Sequence, residues 1–239
     1  MNYDKPIFSV VIPAYNEEKY IAESIKFVQK QQGGFDMEII VVNNASTDKT
    51  KQIAESLGVY VIDEPKKGVG QARKTGTEVA RGEFVLHIDA DTHLPEDYLI
   101  QVKKRFDSNS KLVCLGGQFY FYDANLFWRL MRPVLFRPLY VLVYLASLGK
   151  VGPLGNNMIF KKTIYNKTTG FDKNLKYGED GNLTIKLSEF GKIKLDMKLK
   201  CFVSSRRFNL LSKEFWVYVL NSAWVCSFGR PLKNELSQH

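Results

Sequence analysis

Strand-like and helix-like segments alternate four times in the first part of this sequence. Four nearly continuous apolar runs are typical of buried parallel strands, at residues 7–13, 37–42, 59–62 and 83–88. Helical patterns separate them, at residues 16–32, where Asn16 is the expected N-cap, 49–57 and 71–80. Such alternation predicts an α/β fold in which a mostly parallel central sheet is flanked by helices.

Polar residues follow three of these strands, at the end where parallel sheets bind ligands. They are Pro13-Ala14-Tyr15, the run from Asn43 to Asp48, and Asp89-Ala90-Asp91. Because the carboxyl ends of parallel strands meet at one edge of a sheet, we expect these residues to gather on one rim. Two carboxylates spaced like Asp89 and Asp91 suit Mg²⁺ or Mn²⁺, although an isolated Asp-x-Asp is more often a solvated turn.

The second half of the chain is less regular. Helical patterns occur at residues 95–106, 181–190 and 215–225, and strand-like runs at 112–121, 157–160 and 193–204. No proline- or serine-rich linker divides the sequence. We therefore expect a single domain over residues 1–239.

Charge and cysteine content restrict the partners and the compartment. The 34 basic and 25 acidic residues leave a formal net charge of +9, which favours an anionic partner. The basic residues are spread along the chain, so a nucleic-acid-binding module is not expected. Three widely spaced cysteines, the lack of a signal-peptide pattern and the lack of an apolar run of about 20 residues predict a cytoplasmic protein, with the inner face of the membrane as a further option.

Six motifs in one order resemble family 2 of the glycosyltransferases, which have the GT-A fold. They are Val10 to Glu18, Glu38 to Asp48, Ala72-Arg73 with Gly76, Asp89-Ala90-Asp91, Gly155 to Met158 with Gly170-Phe171-Asp172, and Gly178-Glu179-Asp180. The resemblance runs from about Ile7 to Arg207. It implies a GT-A domain with a Rossmann-like nucleotide-binding half at about residues 1–92 and an acceptor half at about 93–239.

The same resemblance implies an activity. The chain is expected to transfer a sugar, with inversion and with Mn²⁺ or Mg²⁺, from a nucleoside-diphosphate sugar to a hydroxyl or lipid-phosphate acceptor. Glycan or lipid-linked acceptors of cell-envelope polysaccharide or glycolipid synthesis are the expected class. A catalytically silent GT-A domain that binds nucleotide or a glycan is the alternative. A dinucleotide oxidoreductase is not expected, because no Gly-x-Gly-x-x-Gly follows the first strand.

The resemblance also assigns roles to residues. Asp180 is the expected general base and Glu179 its neighbour that orients the acceptor or the base. Asp91 is the expected direct metal ligand, Asp89 reaches the ribose or the metal, and His93 is a further metal candidate. The other donor-binding candidates are Pro13, Tyr15, Glu17, Asn43, Ser46, Asp48, Arg73, Ala90, Arg206 and Arg207.

Several of these assignments have structural alternatives. Glu179 and Asp180 also suit the acidic start of a helix, Asp48 suits a helix cap, and Arg73 suits either an ion pair with a carboxylate of the site or a solvated helix face. His93 also suits a rim histidine without a role, and Arg206 and Arg207 also suit an exposed strand end. The family usually has Asp where this chain has Asn43, so the nucleobase stays open. An aromatic, arginine-containing stretch at 127–144 suits either a peripheral contact with a membrane or a core helix pair.

Overall fold

The computed structural model describes residues 5–175, 178–206 and 224. Arg207 and the helix expected at 215–225 lie outside these residues, except for position 224. Strands of the described part are β1 (Phe8–Ala14), β2 (Met37–Asn43), β3 (Tyr60–Asp63), β4 (Phe84–His87), β5 (Thr92–His93), β6 (Leu112–Phe121), β7 (Met158–Lys161) and β8 (Lys192–Val203). Helices of the same part are α1 (Ile21–Gln29), α2 (Thr50–Ser56), α3 (Val69–Val79), α4 (Tyr98–Asp107), α5 (Leu126–Ala146), α6 (Lys162–Tyr165) and α7 (Glu179–Ser188).

These eight strands form one sheet in the order β3-β2-β1-β4-β7-β6-β8-β5. The pairs β1–β2, β2–β3 and β1–β4 are parallel, as the alternation of strands and helices predicts. Beyond β4 the sheet is mixed, because β7 runs antiparallel to both β4 and β6, and β5 runs antiparallel to β8. The expectation of a mostly parallel sheet therefore holds in the nucleotide half, and the sheet as a whole is mixed.

Both faces of the sheet are covered, so the central strands are apolar on both sides. In β1, Val10 and Ile12 belong to one buried cluster, whereas Val11 belongs to the other. This alternation follows from the two-residue period of a strand. Each such side chain contributes roughly 1.5–3 kcal/mol by leaving water, so a continuous apolar run is what this position requires.

Helix α1 is shorter than the sequence pattern predicts, and Asn16 is not its N-cap. The helix begins at Ile21, with Tyr20 at the N-cap position. Asn16 has a positive φ of 54°, its backbone N–H donates to Ser46 Oγ at 3.1 Å, and its Oδ1 accepts from the backbone N–H of Thr47 at 2.8 Å. The residues after β1 therefore form a loop that is fastened to the loop after β2.

Candidate functional site

The loops after β1, β2 and β4 lie at one edge of the sheet. The chain leaves β1 in one direction, through β2 to β3, and then returns to place β4 on the other side of β1. Ligands of open α/β sheets bind in the crevice at such a reversal of strand order. The Asp89-Ala90-Asp91 segment follows β4 at this point, and Tyr15 and Glu17 follow β1.

Arg206 connects the loop after β1 with the loop after β4. It donates from Nε to Asp91 Oδ2 at 2.9 Å and from Nη2 to Glu17 Oε2 at 2.5 Å, and its guanidinium lies 4.0 Å from the centre of the Tyr20 ring. Burial disfavours the charged guanidinium, but the Asp91 and Glu17 carboxylates outweigh this effect and raise the pKa of Arg206. The positively charged guanidinium of Arg206 thus occupies part of the acidic crevice.

Contacts at the edge of the sheet hold the residues that come directly before Arg206. Strand β5 comes directly after Asp91 and pairs with the end of β8, with Thr92 opposite Val203. Asp123, after β6, accepts from Ser204 Oγ at 2.5 Å and from the backbone N–H of Ser205 at 2.6 Å. Asp123 was not among the residues that the sequence motifs indicated, because only the register between β6 and β8 brings it to this turn.

Arg73 is buried in the middle of α3 and bonds to carboxylates of two different segments. Nη1 donates to Glu179 Oε1, and Nη2 donates to Asp89 Oδ1 at 3.1 Å. Burial raises the pKa of Glu179 to about 7, opposed by the Arg73 guanidinium and reinforced by the neighbouring Asp180. The structure therefore supports the ion-pair alternative for Arg73, and a contact with the nucleotide stays a prediction.

Asp180 lies in the first turn of α7, where two backbone amides hold its carboxylate. Oδ2 accepts from the N–H of Gly155 at 3.0 Å, and Oδ1 accepts from the N–H of Gly181 at 2.7 Å. Only 8% of the residue is exposed. Gly178, with a φ of 78°, starts this turn in the left-handed region that favours glycine. The carboxylate is thus fixed in position beside Glu179.

The loop after β2 brings several of the donor-binding candidates together. Asn43 donates from Nδ2 to Asp63 Oδ1 at 2.8 Å and accepts from the N–H of Ser46 at 3.3 Å. Asp48 accepts from the N–H of Thr50 at 3.0 Å, so it supports the start of α2, and from the N–H of Glu18 at 3.1 Å. These contacts order the loop around the crevice.

The remaining candidates have different surroundings. Pro13 is partly exposed at the end of β1, and Tyr15 is 45% exposed, with Lys67 Nζ donating to its hydroxyl at 2.8 Å. The Ala90 side chain is packed in the core, so only its backbone is suited to a ligand. No sequence motif indicates Lys67, so its contact with Tyr15 was not expected.

His93 has a different set of contacts from the one expected of a metal ligand. Its ring is stacked between Phe27 and Tyr122, with centroid distances of 4.2 and 4.1 Å. Its Nε2 lies 3.4 Å from Glu23 Oε2. Burial lowers the pKa of His93, and Glu23 partly opposes this effect. A metal-binding role for His93 stays a prediction, and this geometry gives it no support.

Asp89 and Asp91 supply donor atoms of the right chemistry for Mg²⁺ or Mn²⁺. Both present carboxylate oxygens at the crevice, and these ions take one or two carboxylates together with phosphate oxygens. Among residues 5–175 and 178–206, no group of three or more His, Cys, Asp and Glu side chains is placed to hold a metal alone. The donor set therefore fits an ion that shares its coordination with a phosphate ligand.

The model of the family "Glycosyl transferase family 2" matches residues 9–170. Poly(ribitol-phosphate) β-N-acetylglucosaminyltransferase TarS of Staphylococcus aureus is 35% identical over 115 residues, which are 45% of this chain and 20% of that protein. The putative glycosyltransferase EpsH of Bacillus subtilis is 33% identical over 127 residues, 51% of this chain and 37% of that protein. The chain thus spans less than half the length of these curated relatives.

Solved structures resemble the whole described sheet. The mannosyltransferase PcManGT of Pyrobaculum calidifontis, in complex with GDP-Man and Mn²⁺, superposes with a TM-score of 0.72 at 20% identity, over 94% of this chain and 64% of that one. Residues 1–349 of S. aureus TarS, in complex with UDP-GlcNAc, superpose with a TM-score of 0.67 at 24% identity, over 95% and 68%. These similarities confirm the expected GT-A fold.

Proposed function

We propose a function for this chain, which belongs to glycosyl transferase family 2: it transfers a sugar from a nucleoside-diphosphate sugar to an acceptor hydroxyl or lipid phosphate, with inversion. The main supporting observation is that Asp89 and Asp180, from opposite halves of the chain, meet at one rim through Arg73 and Glu179. Synthesis of cell-envelope polysaccharide or glycolipid is the process to which such a reaction belongs.

The donor binds in the crevice after β1, β2 and β4. Asp91 and Asp89 would hold Mn²⁺ or Mg²⁺, and the bound ion would supply positive charge next to the departing diphosphate. Arg206 donates its planar fork to diphosphate oxygens, since this geometry binds two oxygens together. Asn43, Ser46 and Tyr15 surround the nucleoside. Similar proteins have been solved with GDP-Man and with UDP-GlcNAc, so the base and the sugar are left open.

Asp180 takes the proton of the acceptor. An acceptor oxygen forms a bond to the anomeric carbon while the bond from that carbon to the diphosphate breaks, and the proton passes to the Asp180 carboxylate. The backbone amides of Gly155 and Gly181 hold the Asp180 carboxylate in one position, which supports this role. One displacement from behind inverts the configuration at the anomeric carbon.

The alternative is a silent domain that binds nucleotide without turning it over. Release of free nucleoside diphosphate from a panel of sugar nucleotides with Mn²⁺ separates the two functions. The Asp91→Ala variant is expected to lose the Mn²⁺-dependent part of nucleotide binding and to keep its fold, whereas Asp107→Ala, an exposed change on α4, is expected to behave like the parent. Parent-like binding of nucleotide and Mn²⁺ by Asp91→Ala would show the metal assignment to be wrong.

Helix α5 is the feature that bears on the acceptor. Its described apolar side chains include a row at helical spacing with 58–70% exposure, namely Leu126, Leu130, Val134, Leu142 and Leu145. Residues 124–171 contain seven Lys and Arg and no Asp or Glu. Among the described helices, none combines the length and the apolarity needed to cross a bilayer. We propose that this apolar row lies on an anionic lipid surface that carries the acceptor.

Flotation with vesicles tests this part of the proposal. The protein is expected to float with vesicles that contain phosphatidylglycerol at low salt and to dissociate at high salt, because the basic residues act through screened charges. Vesicles of phosphatidylcholine alone are the control. If the protein stays with neither kind of vesicle at low salt, the helix has another partner.

A further inference from the structure

We infer that Arg73 is a positioning residue, which holds the metal-side carboxylate Asp89 at a fixed place relative to Glu179 and the base Asp180. The sequence motif suggested a contact with the nucleotide. The inference rests on the proposed function, because it assigns Arg73 a part in the same reaction. Arg73 is then expected to control the rate of the transfer step and not the affinity for the donor.

The buried guanidinium of Arg73 joins two carboxylates through a planar group. The Arg73 side chain is 5% exposed, and that of Glu179 is 7% exposed. Two different nitrogens of one planar group bond to Glu179 and to Asp89, so the angle between the two carboxylates is set by a rigid fork. Lysine has the same charge but one flexible donor group, and it cannot impose that angle.

A contact between Arg73 and the nucleotide would be energetically costly. A phosphate that drew the guanidinium away from Glu179 would leave a buried carboxylate without its cation, which is strongly unfavourable. Arg206 is the more exposed of the two arginines of the crevice, with 26% of its side chain exposed against 5% for Arg73. Arg73 is therefore the arginine better suited to holding protein carboxylates away from solvent.

Gly155 gives an independent observation. A Cβ added at this glycine would overlap the Arg73 guanidinium, and the Gly155 backbone N–H donates to Asp180 Oδ2 at 3.0 Å. Gly155 is not among the glycines with positive φ, so its backbone conformation would accept alanine. Close approach of Arg73 is the reason for glycine here, and this one residue contacts both the guanidinium and the base.

Close packing between α3 and α7 completes the arrangement. A Cβ at Gly70, one turn before Arg73, would lie 3.4 Å from Glu179 Cβ and 3.2 Å from the carbonyl oxygen of Asp172. The first turn of α7 is thus pressed against α3. Because both helices are packed on the same face of the sheet, a shift of the guanidinium would move Glu179 and Asp180 together.

The test compares Arg73→Lys and Gly155→Ala with the parent, using release of nucleoside diphosphate from UDP-GlcNAc and GDP-mannose with Mn²⁺ and water as the acceptor. Both variants keep every charge of the site. Lys74→Gln, which changes the next residue of α3 on its exposed side, is the matched control.

We expect kcat to fall about 10²-fold in Arg73→Lys and in Gly155→Ala, since small misplacements of reacting groups have effects of this size. The donor KM and the calorimetric Kd for UDP or GDP should stay at the parent values, as should all constants of Lys74→Gln. A raised donor KM with unchanged kcat, or parent-like kcat in both variants, would overturn the inference. A parent that releases no nucleoside diphosphate from either donor would instead overturn the proposed function, and the inference with it.

Discussion

The two halves of the molecule use apolar residues in different ways. In the nucleotide half, Val10, Val11 and Ile12 of the central strand have no exposed surface. In the acceptor half, Leu130 and Leu145 of α5 are 58% and 63% exposed, although they belong to an equally apolar stretch. Apolar segments that form strands between helices, in βαβ units, make up the core. The apolar residues of α5 instead leave an exposed apolar surface, which is typical of an interaction site.

The buried charges differ as well. The carboxylates around the crevice pair with Arg73 and Arg206, which come from distant parts of the chain. By contrast, the stretch that contains α5 has basic residues and no acidic ones. The site is thus a network in which two arginines pair with four carboxylates at the junction of the halves, whereas the sequence of α5 has three arginines and no acidic residue. Each prediction below changes one side of this comparison.

The largest effect is expected at the base. Asp180→Asn keeps the shape and the amide contacts on one oxygen but removes the proton acceptor, so turnover should fall by at least about 10²-fold with little change in nucleotide affinity. Steady-state release of nucleoside diphosphate measures turnover, and calorimetry measures affinity. Glu189→Gln, an exposed change just after the same helix, is the control. Near-parent turnover in Asp180→Asn would remove Asp180 from the mechanism.

A smaller effect is expected from packing in the nucleotide half. A Cβ at Gly76 would meet the Val11 side chain and lie 2.8 Å from Val42 Cγ2, so Gly76→Ala must push α3 away from the sheet. We expect the free energy of unfolding to drop by about 1–3 kcal/mol, in spite of the better helix propensity of alanine. Urea denaturation measures it, with Glu78→Ala on the exposed side as the control. A stabilised Gly76→Ala protein would show that the helix is loosely packed.

The pH dependence of stability tests the same core. Burial, with Arg73 and Lys162 nearby, lowers the pKa of His87 well below its usual value, so the folded protein binds fewer protons there than the unfolded chain. The contribution of His87 to the free energy of unfolding is then fully present above the unfolded pKa of about 6.5. As the pH decreases below that value, the free energy of unfolding falls by up to about 1.4 kcal/mol per pH unit. Urea denaturation at about pH 8 and about pH 5 should show this loss in the parent and a smaller one in His87→Gln. Equal losses would show that other groups cause it.

The smallest effect on stability is expected on α5. Leu130→Ser/Leu145→Ser should change the free energy of unfolding by no more than about 0.5 kcal/mol, because both side chains are exposed, and should abolish flotation with anionic vesicles. Tyr60→Ser, at a 57% exposed residue in the nucleotide half, should float like the parent. A large loss of stability in the α5 variant would place these leucines in the core.

The sequence predicted the strands of both halves to within a few residues, since apolar runs define them directly. It did not predict β5, because two residues, Thr92 and His93, are too few to form a pattern. The contact between Arg206 and Asp91 could therefore not be predicted from the sequence, because it depends on the pairing of β5 with β8. Asn16 was wrong as an N-cap because its left-handed backbone is set by contacts with the loop after β2.

The candidate site, like the fold, could be predicted from the sequence only in part. The order of motifs identified Asp89, Asp91 and Asp180 as candidates, and the structure places Asp89 and Asp180 near one another through Arg73, Glu179 and Gly155. Helical spacing alone did not distinguish an Arg73 that binds a ligand from one that pairs with carboxylates. That distinction depends on contacts across more than a hundred residues of sequence, which no local pattern records.

The central claim is that this chain breaks the bond between an anomeric carbon and a nucleoside diphosphate by one inverting displacement. The most direct measurement follows the anomeric proton of the product by NMR, from a sugar nucleotide of α configuration, with and without Mn²⁺. We predict Mn²⁺-dependent release of the nucleoside diphosphate and a first-formed product of β configuration. A product that retains the α configuration, or no release from any sugar nucleotide, would contradict the account.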